Sequence, residues 1–144
     1  KAYWPFYEAI FAFDLPILFH AGDETLPYAT PQRLAKVVEG FPNSRIILAH
    51  LGGYARWQEA EEYIYGKDVW LDTSSVFGRL GSEDAWKLIR KHDRERILFG
   101  TDYPVSSYSQ EIAWILEHAR EDEAELILYR NAARLLKLEK KILP

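Results

Sequence analysis

The nine residues Arg45–Gly53 (RIILAHLGG) narrow the possible folds more than any other stretch of the chain. The unbroken apolar run Ile46 to Ala49 suits a strand buried on both faces, as in a parallel sheet covered by helices. His50 stands where the run stops. Gly52 and Gly53 then allow a tight backbone turn toward a following helix. An ionisable ring is thereby placed at the carboxyl end of a buried strand, the edge that carries the chemistry in parallel α/β folds.

The same device recurs. Pro16-Ile-Leu-Phe leads to His20, Val69-Trp-Leu leads to Asp72, and Ile97-Leu-Phe leads through Gly100 and Thr101 to Asp102. Helices are expected between these strands. Thr30 and Pro31 look like an N-cap and a first helical position. Leu34, Val37, Val38 and Phe41 then repeat with helical period. Further helices are expected over about 54–65, 83–91, 110–119 and 122–137, with residues 73–82 left as a loop. An aromatic helix over 3–13, with Pro5 in its first turn, precedes the first strand. The strands follow one another at roughly the 30-residue step of a βαβ unit. Four such steps fit one domain, residues 1–144, with the form of half a (β/α)₈ barrel. The chain begins at Lys1 and contains no methionine, so a processed chain or a piece of a longer one is expected.

A net charge of −4 gives no basic surface for tracking phosphates, so nucleic acid is not an expected partner. Cysteine is absent, which leaves His, Asp and Glu as the possible metal ligands. No apolar run reaches the roughly 20 residues of a membrane span, and no signal peptide is evident. A cytoplasmic protein without membrane partners is the expectation.

His20, His50, Asp72 and Asp102 end successive strands. Alternation along a strand puts Leu18 on the face of His20, Leu48 on that of His50 and Gly100 on that of Asp102. Gly100 is expected to leave open space beneath Asp102. A lone strand-end histidine is usually structural, and Asp72, followed by Thr-Ser-Ser, suits a cap or turn former. The whole set in one register instead suggests a divalent-metal site, in which imidazole and carboxylate leave a position open for water. His92 and His118 are expected to be solvated. Leu18, Ile46, Leu48, Trp70 and Leu98 are expected on the face that fills a closed barrel. In a half-barrel that face would lie open, covered in part by Trp4, Phe6 and Tyr7 and otherwise by a second copy, so a homo-oligomer is expected.

The segments 15–22 (LPILFHAG), 41–53 (FPNSRIILAHLGG), 69–74 (VWLDTS), 97–104 (ILFGTDYP) and 131–136 (NAARLL) together resemble the amidohydrolase-2 family of metal-dependent TIM-barrel hydrolases and decarboxylases. They stand in family order and match barrel strands five to eight, the C-terminal half of that barrel. The resemblance implies that His20 is a metal ligand. It implies that His50 polarises the substrate or steadies a water. Asp102 is implied both to touch the metal and to take the water's proton. Glu24, Arg56 and Tyr103 are candidate substrate-binding residues, and Arg56 or Arg79 could meet a carboxylate. The implied activity is hydrolysis of a small C–N, lactone or ester substrate on a divalent metal, zinc being expected. The family alternative is non-oxidative decarboxylation of a small aromatic or unsaturated acid. A third reading is a non-catalytic half-barrel serving as an assembly partner. The family's His-x-His on strand one is absent, so metal is expected to be weakly held or missing.

Overall fold

A computed structural model describes residues 2–120 and 122–139; Lys1, Glu121 and residues 140–144 lie outside the described residues. Four short strands, β1 (Ile17–Phe19), β2 (Ile46–Leu48), β3 (Trp70–Asp72) and β4 (Ile97–Leu98), form one sheet in sequence order. All three pairings are parallel. Helices fill the crossovers, as parallel pairing requires.

The aromatic helix α1 (Trp4–Ala12) comes first, and α2 (Pro31–Gly40) joins β1 to β2. Thr30 caps α2, its side-chain oxygen accepting from the Arg33 N–H, with Pro31 as first helical residue. The helix after β2, α3 (Trp57–Tyr63), starts later than the sequence suggests. Tyr54 is used otherwise: its N–H donates to the Ala21 carbonyl at 2.7 Å, bridging the loops that follow β1 and β2. Ala55 next to it is left-handed, which interrupts a helix. The expected loop after β3 contains a short helix, α4 (Phe77–Leu80), ahead of α5 (Ser82–Ile89). One turn is too short for a period to show, yet it delivers Phe77 into the core.

After β4 come α6 (Tyr108–His118) and α7 (Glu123–Glu125), which runs through a π turn at 126–130 into α8 (Asn131–Leu135). Two contacts fasten this last segment to β4. The Phe99 N–H donates to the Ile127 carbonyl at 2.9 Å. The Asn131 amide donates to the carbonyls of Arg94 and Ile97, each at 2.8 Å.

The register assigns the two faces of the sheet. Phe19, Leu48, Leu71 and Ile97 align across the four strands, and Leu18, Ile47 and Trp70 align on the other side. Ile46, Leu48, Leu71 and Ile97 belong to the helix-side core with Phe77, Trp86, Ile89 and Ile115. Truncating a buried aromatic there, such as Trp86, costs about 3–5 kcal/mol. The barrel face carries Leu18, Ile47, Trp70 and Leu98, so Ile46 and Leu48 are not on it as expected. Nor is most of that face bare. Leu135 of α8 packs against Ile47, Trp70 and Leu98 and buries all three. Arg45 holds α8 there by donating to the Leu135 carbonyl at 2.6 Å. Leu18 remains 59% exposed.

The aromatic N-terminus also covers a different face from the one expected. Trp4 packs on Phe41 with ring centroids 5.0 Å apart, and Tyr7 meets Phe19 edge-on at 5.2 Å. Both partners border the helix-side core. Gly40 makes room for the indole, since a Cβ there would come within 2.4 Å of Trp4. Phe6 points to solvent. His92, expected to be solvated, is buried: its Nε2 donates to the Val69 carbonyl at 2.9 Å, and its Nδ1 accepts from the Gly66 N–H at 3.2 Å. Among the described residues no helix is long and apolar enough to cross a membrane.

Candidate active site at the carboxyl edge of the sheet

A cleft of about 480 Å³ opens at the carboxyl edge, walled by His20, His50, Tyr54, Arg79, Asp102 and Glu111. The three residues expected to carry chemistry, His20, His50 and Asp102, thus meet in one place. They arrive by different routes. His20 follows β1 directly and shares a second hollow with Leu18, the alternation expected of a strand. His50 does not follow alternation: Leu48 lies on the helix side, and the chain turns left-handed at His50 and Leu51. That turn brings the His50 ring back to the barrel side. Asp102 is also left-handed, and so is Ser75 beside it. A non-glycine residue in that region costs on the order of 1–3 kcal/mol, and such residues cluster at functional sites.

Asp72 organises the site rather than lining the cleft. Its Oδ1 accepts three hydrogen bonds: from the Ser74 hydroxyl at 2.5 Å, the Ser74 N–H at 2.9 Å and the His50 N–H at 3.1 Å. This matches the turn-forming role suggested for it. The carboxylate fixes the backbone on both sides of the left-handed turn. Asp72 also settles Gly100. A Cβ on Gly100 would meet the Asp72 carboxyl carbon and the Ser74 Cβ, each at 3.1 Å. A side chain at position 100 would therefore press on this pair, while Gly100 itself lines the second hollow together with Asp102, as expected.

The hydrogen bonds determine the protonation pattern of the histidines. The Ser74 carbonyl lies 2.8 Å from His50 Nδ1 and can only accept, so Nδ1 carries the proton. In the neutral ring Nε2 is then an acceptor, and it lies 3.2 Å from His20 Nδ1. His20 therefore donates from Nδ1, which leaves its Nε2 lone pair free. The Trp57 indole N–H fixes the His50 backbone carbonyl from behind at 3.0 Å. Asp102 is held at one oxygen by the Ser75 hydroxyl at 2.8 Å, and its other oxygen has no hydrogen bond among the described residues.

A free imidazole nitrogen and a free carboxylate oxygen are the right donors for a divalent metal. They are two donors only. Among the described residues no three His, Asp or Glu side chains lie close enough to hold an ion. The residues present thus fit part of a metal site, not a whole one.

The three candidate substrate-binding residues part company. Glu24 forms an ion pair with Arg79 at the cleft rim. Arg79 also donates to the Tyr54 hydroxyl at 3.0 Å and lies over the Tyr54 ring at 4.8 Å. Arg56 turns away, donating to the Asp23 carbonyl at 2.8 Å and pairing with Glu59 at 3.5 Å. Tyr103 is 75% exposed and does not line the cleft. The N–H groups of Leu26 and Thr25 donate to Asp23 and hold its carboxyl below the ordinary range, which orders the loop bearing Glu24.

Tyr54 and Glu111 are wall residues that the sequence reading does not single out. Tyr54 gives no sign of itself, since its place depends on the bridge to Gly22. Glu111 does leave a sign: it stands one helical turn before the buried Ile115, at a position that should be apolar. Burial pushes its carboxyl above the usual range, against the hydrogen bond donated by Ser106 at 2.5 Å.

The amidohydrolase family model of the amidohydrolase-2 group matches residues 1–138. Decarboxylase orsB of Emericella nidulans is 26% identical over 131 residues, covering 74% of this chain and 38% of its own length. Gamma-resorcylate decarboxylase of Polaromonas sp. is 23% identical over 186 aligned residues, covering 96% of this chain and 55% of its own. Among solved structures, dihydroxybenzoic acid decarboxylase from Polaromonas sp., with bound manganese and the inhibitor 2-nitroresorcinol, superposes with a TM-score of 0.67 at 24% identity. That match covers 95% of this chain and 54% of the other. An uncharacterised TIM-barrel protein from Bordetella bronchiseptica gives 0.73 at 23% identity, covering 96% and 51%. The chain spans about half the length, or less, of the relatives it matches, and its four βα units are half of a TIM barrel. On the strength of the family match over residues 1–138, the chain belongs to the amidohydrolase-2 family.

Proposed function

We propose that the chain contributes the His20, His50 and Asp102 part of a metal-dependent, non-oxidative decarboxylase site for a hydroxylated aromatic acid. The observation that carries this reading is Arg79. Its guanidinium is stacked on Tyr54 and steadied by Glu24 in the same cleft as Asp102. It uses some of its five N–H donors in these contacts and keeps others for a substrate carboxylate. A hydrolase for a neutral amide, lactone or ester has no need of that cation. The relatives named above as decarboxylases support the same choice over the hydrolytic one.

In this reading the bond between the ring carbon and the carboxylate breaks, carbon dioxide leaves, and a proton takes its place on the carbon. That proton comes from water and reaches the carbon by way of the free oxygen of Asp102, the other oxygen being held by Ser75; Asp102 can face a cation only while it is deprotonated. His50, fixed as the Nδ1–H form, orients His20. His20 and Asp102 are the two groups offered to a divalent cation. Manganese in solved relatives makes it the first ion to try, ahead of the expected zinc.

The test is product analysis. The full polypeptide is incubated with manganese(II) and 2,6-dihydroxybenzoate, and in parallel with an aryl ester and a lactone. Carbon dioxide and resorcinol are expected from the acid and should vanish in Asp102→Asn. Hydrolysis of the ester or lactone without decarboxylation would overturn the reading in favour of the hydrolase. Neither product would favour the non-catalytic half-barrel.

A further inference from the structure

Glu111 is a fully buried carboxyl group for which the proposed reaction has no use. It sits in the first turn of α6, where an anion suits the helix dipole, but it makes no capping bond to that helix. Ser106 donates to its Oε1 at 2.5 Å, and its Oε2 has no hydrogen-bond partner among the described residues. Both residues form part of the cleft wall that also bears Asp102. Leucine or alanine would suit this helix position better if only packing mattered, because a buried polar atom without a partner is a standing cost.

We propose that Glu111 is a substrate-contacting residue whose free carboxyl oxygen hydrogen-bonds a ring hydroxyl of the aromatic ligand, with Ser106 holding the carboxyl in place. The bound hydroxyl supplies the partner that Oε2 lacks. Burial favours the protonated carboxyl, which can donate as well as accept and so suits a phenol. Selection for a hydroxylated ring over a bare one follows, because a site built around a polar contact rejects the analogue that cannot make it. The inference rests on the aromatic-acid reading of the cleft, and three probes separate the two.

Binding of resorcinol, benzoate and 2,6-dihydroxybenzoate to the full chain is measured by calorimetry in the wild type, Glu111→Leu and Glu111→Gln. Resorcinol carries only the hydroxyls and benzoate only the carboxylate. In Glu111→Leu, resorcinol and 2,6-dihydroxybenzoate should bind roughly tenfold more weakly while benzoate is unchanged. Glu111→Gln keeps a donor and an acceptor and should restore most of the loss. Should the leucine variant not fold, Ser106→Ala, which only frees the carboxyl, should weaken the two hydroxylated probes and spare benzoate. The inference is overturned if all three probes weaken equally, if none does, or if the wild type binds no hydroxylated probe. Failure of the carboxylate reading shows differently: benzoate does not bind, or its binding ignores Arg79→Ala.

Discussion

Asp72→Ala should be among the most damaging single polar changes near the cleft, although Asp72 does not line it. Three hydrogen atoms point at one carboxylate oxygen: two backbone N–H groups and the Ser74 hydroxyl, at 2.9, 3.1 and 2.5 Å. Asp72 and Ser74 are both buried. Each buried donor left unpaired costs about 1–3 kcal/mol, less whatever local relaxation recovers. The hydroxyl can rotate toward another acceptor, but the two N–H groups cannot. A loss of about 3–5 kcal/mol is therefore expected. Asp72→Asn retains an acceptor oxygen and loses only the charge, so it should cost about 1–2 kcal/mol. Urea unfolding gives both numbers, read as shifts of midpoint at unchanged slope. The nitrogen-15 shifts of His50 provide a second reading, since the fixed Nδ1–H tautomer should blur in Asp72→Ala and persist in Asp72→Asn. The reasoning is refuted if Asp72→Ala is neutral or stabilising, the expected result for a carboxylate kept free for a cation. It is equally refuted if the asparagine variant is as damaged as the alanine one.

His92 makes stability depend on pH in a definite sense. Burial holds its pKa below the ordinary 6.5, and its Nδ1 must stay unprotonated to accept from Gly66. Below that ordinary value the unfolded chain binds the proton that the folded chain refuses. Stability contributed by the neutral ring is thus complete above about 6.5 and is lost as pH falls from there toward the lowered folded value. Urea midpoints across this range should show the slope, and His92→Gln should remove it; an unchanged slope counts against the buried-neutral assignment. The chain should also self-associate through β1, whose outer edge has no partner strand among the described residues and whose Leu18 is exposed. Light scattering at micromolar concentration should give a dimer or larger species that Leu18→Lys weakens, whereas a stable monomer would contradict it.

Much of this architecture is legible in the residues because it is local. Runs such as Ile46 to Ala49 show the strands, and Thr30-Pro31 shows a helix start. The polar residues that end three of those runs, His20, His50 and Asp102, do meet at one cleft. What could not be read depends on contacts remote in sequence or on single backbone angles. The His50 ring reaches the barrel side through a left-handed turn, not through alternation, so strand alternation puts Leu48 on the wrong face. The cover over Trp70 and Leu98 comes from Leu135 at the far end of the chain, which no strand pattern announces. Glu111 is the exception, a departure from helical period that the sequence itself shows.

A manganese(II) titration followed by NMR most directly tests whether this edge of the sheet is a prepared fragment of a metal site. With the His20 Nε2 lone pair free and an Asp102 oxygen free in one cleft, the His20 ring signals should broaden first and those of His50 next. Signals of buried His92 and peripheral His118 should stay sharp at the same concentrations. Two protein donors imply weak binding, and Asp102→Asn should weaken it further. Broadening that begins at His118 or at the exposed acidic helices, or that ignores the loss of Asp102, would contradict the assignment of His20 and Asp102 to a common ion.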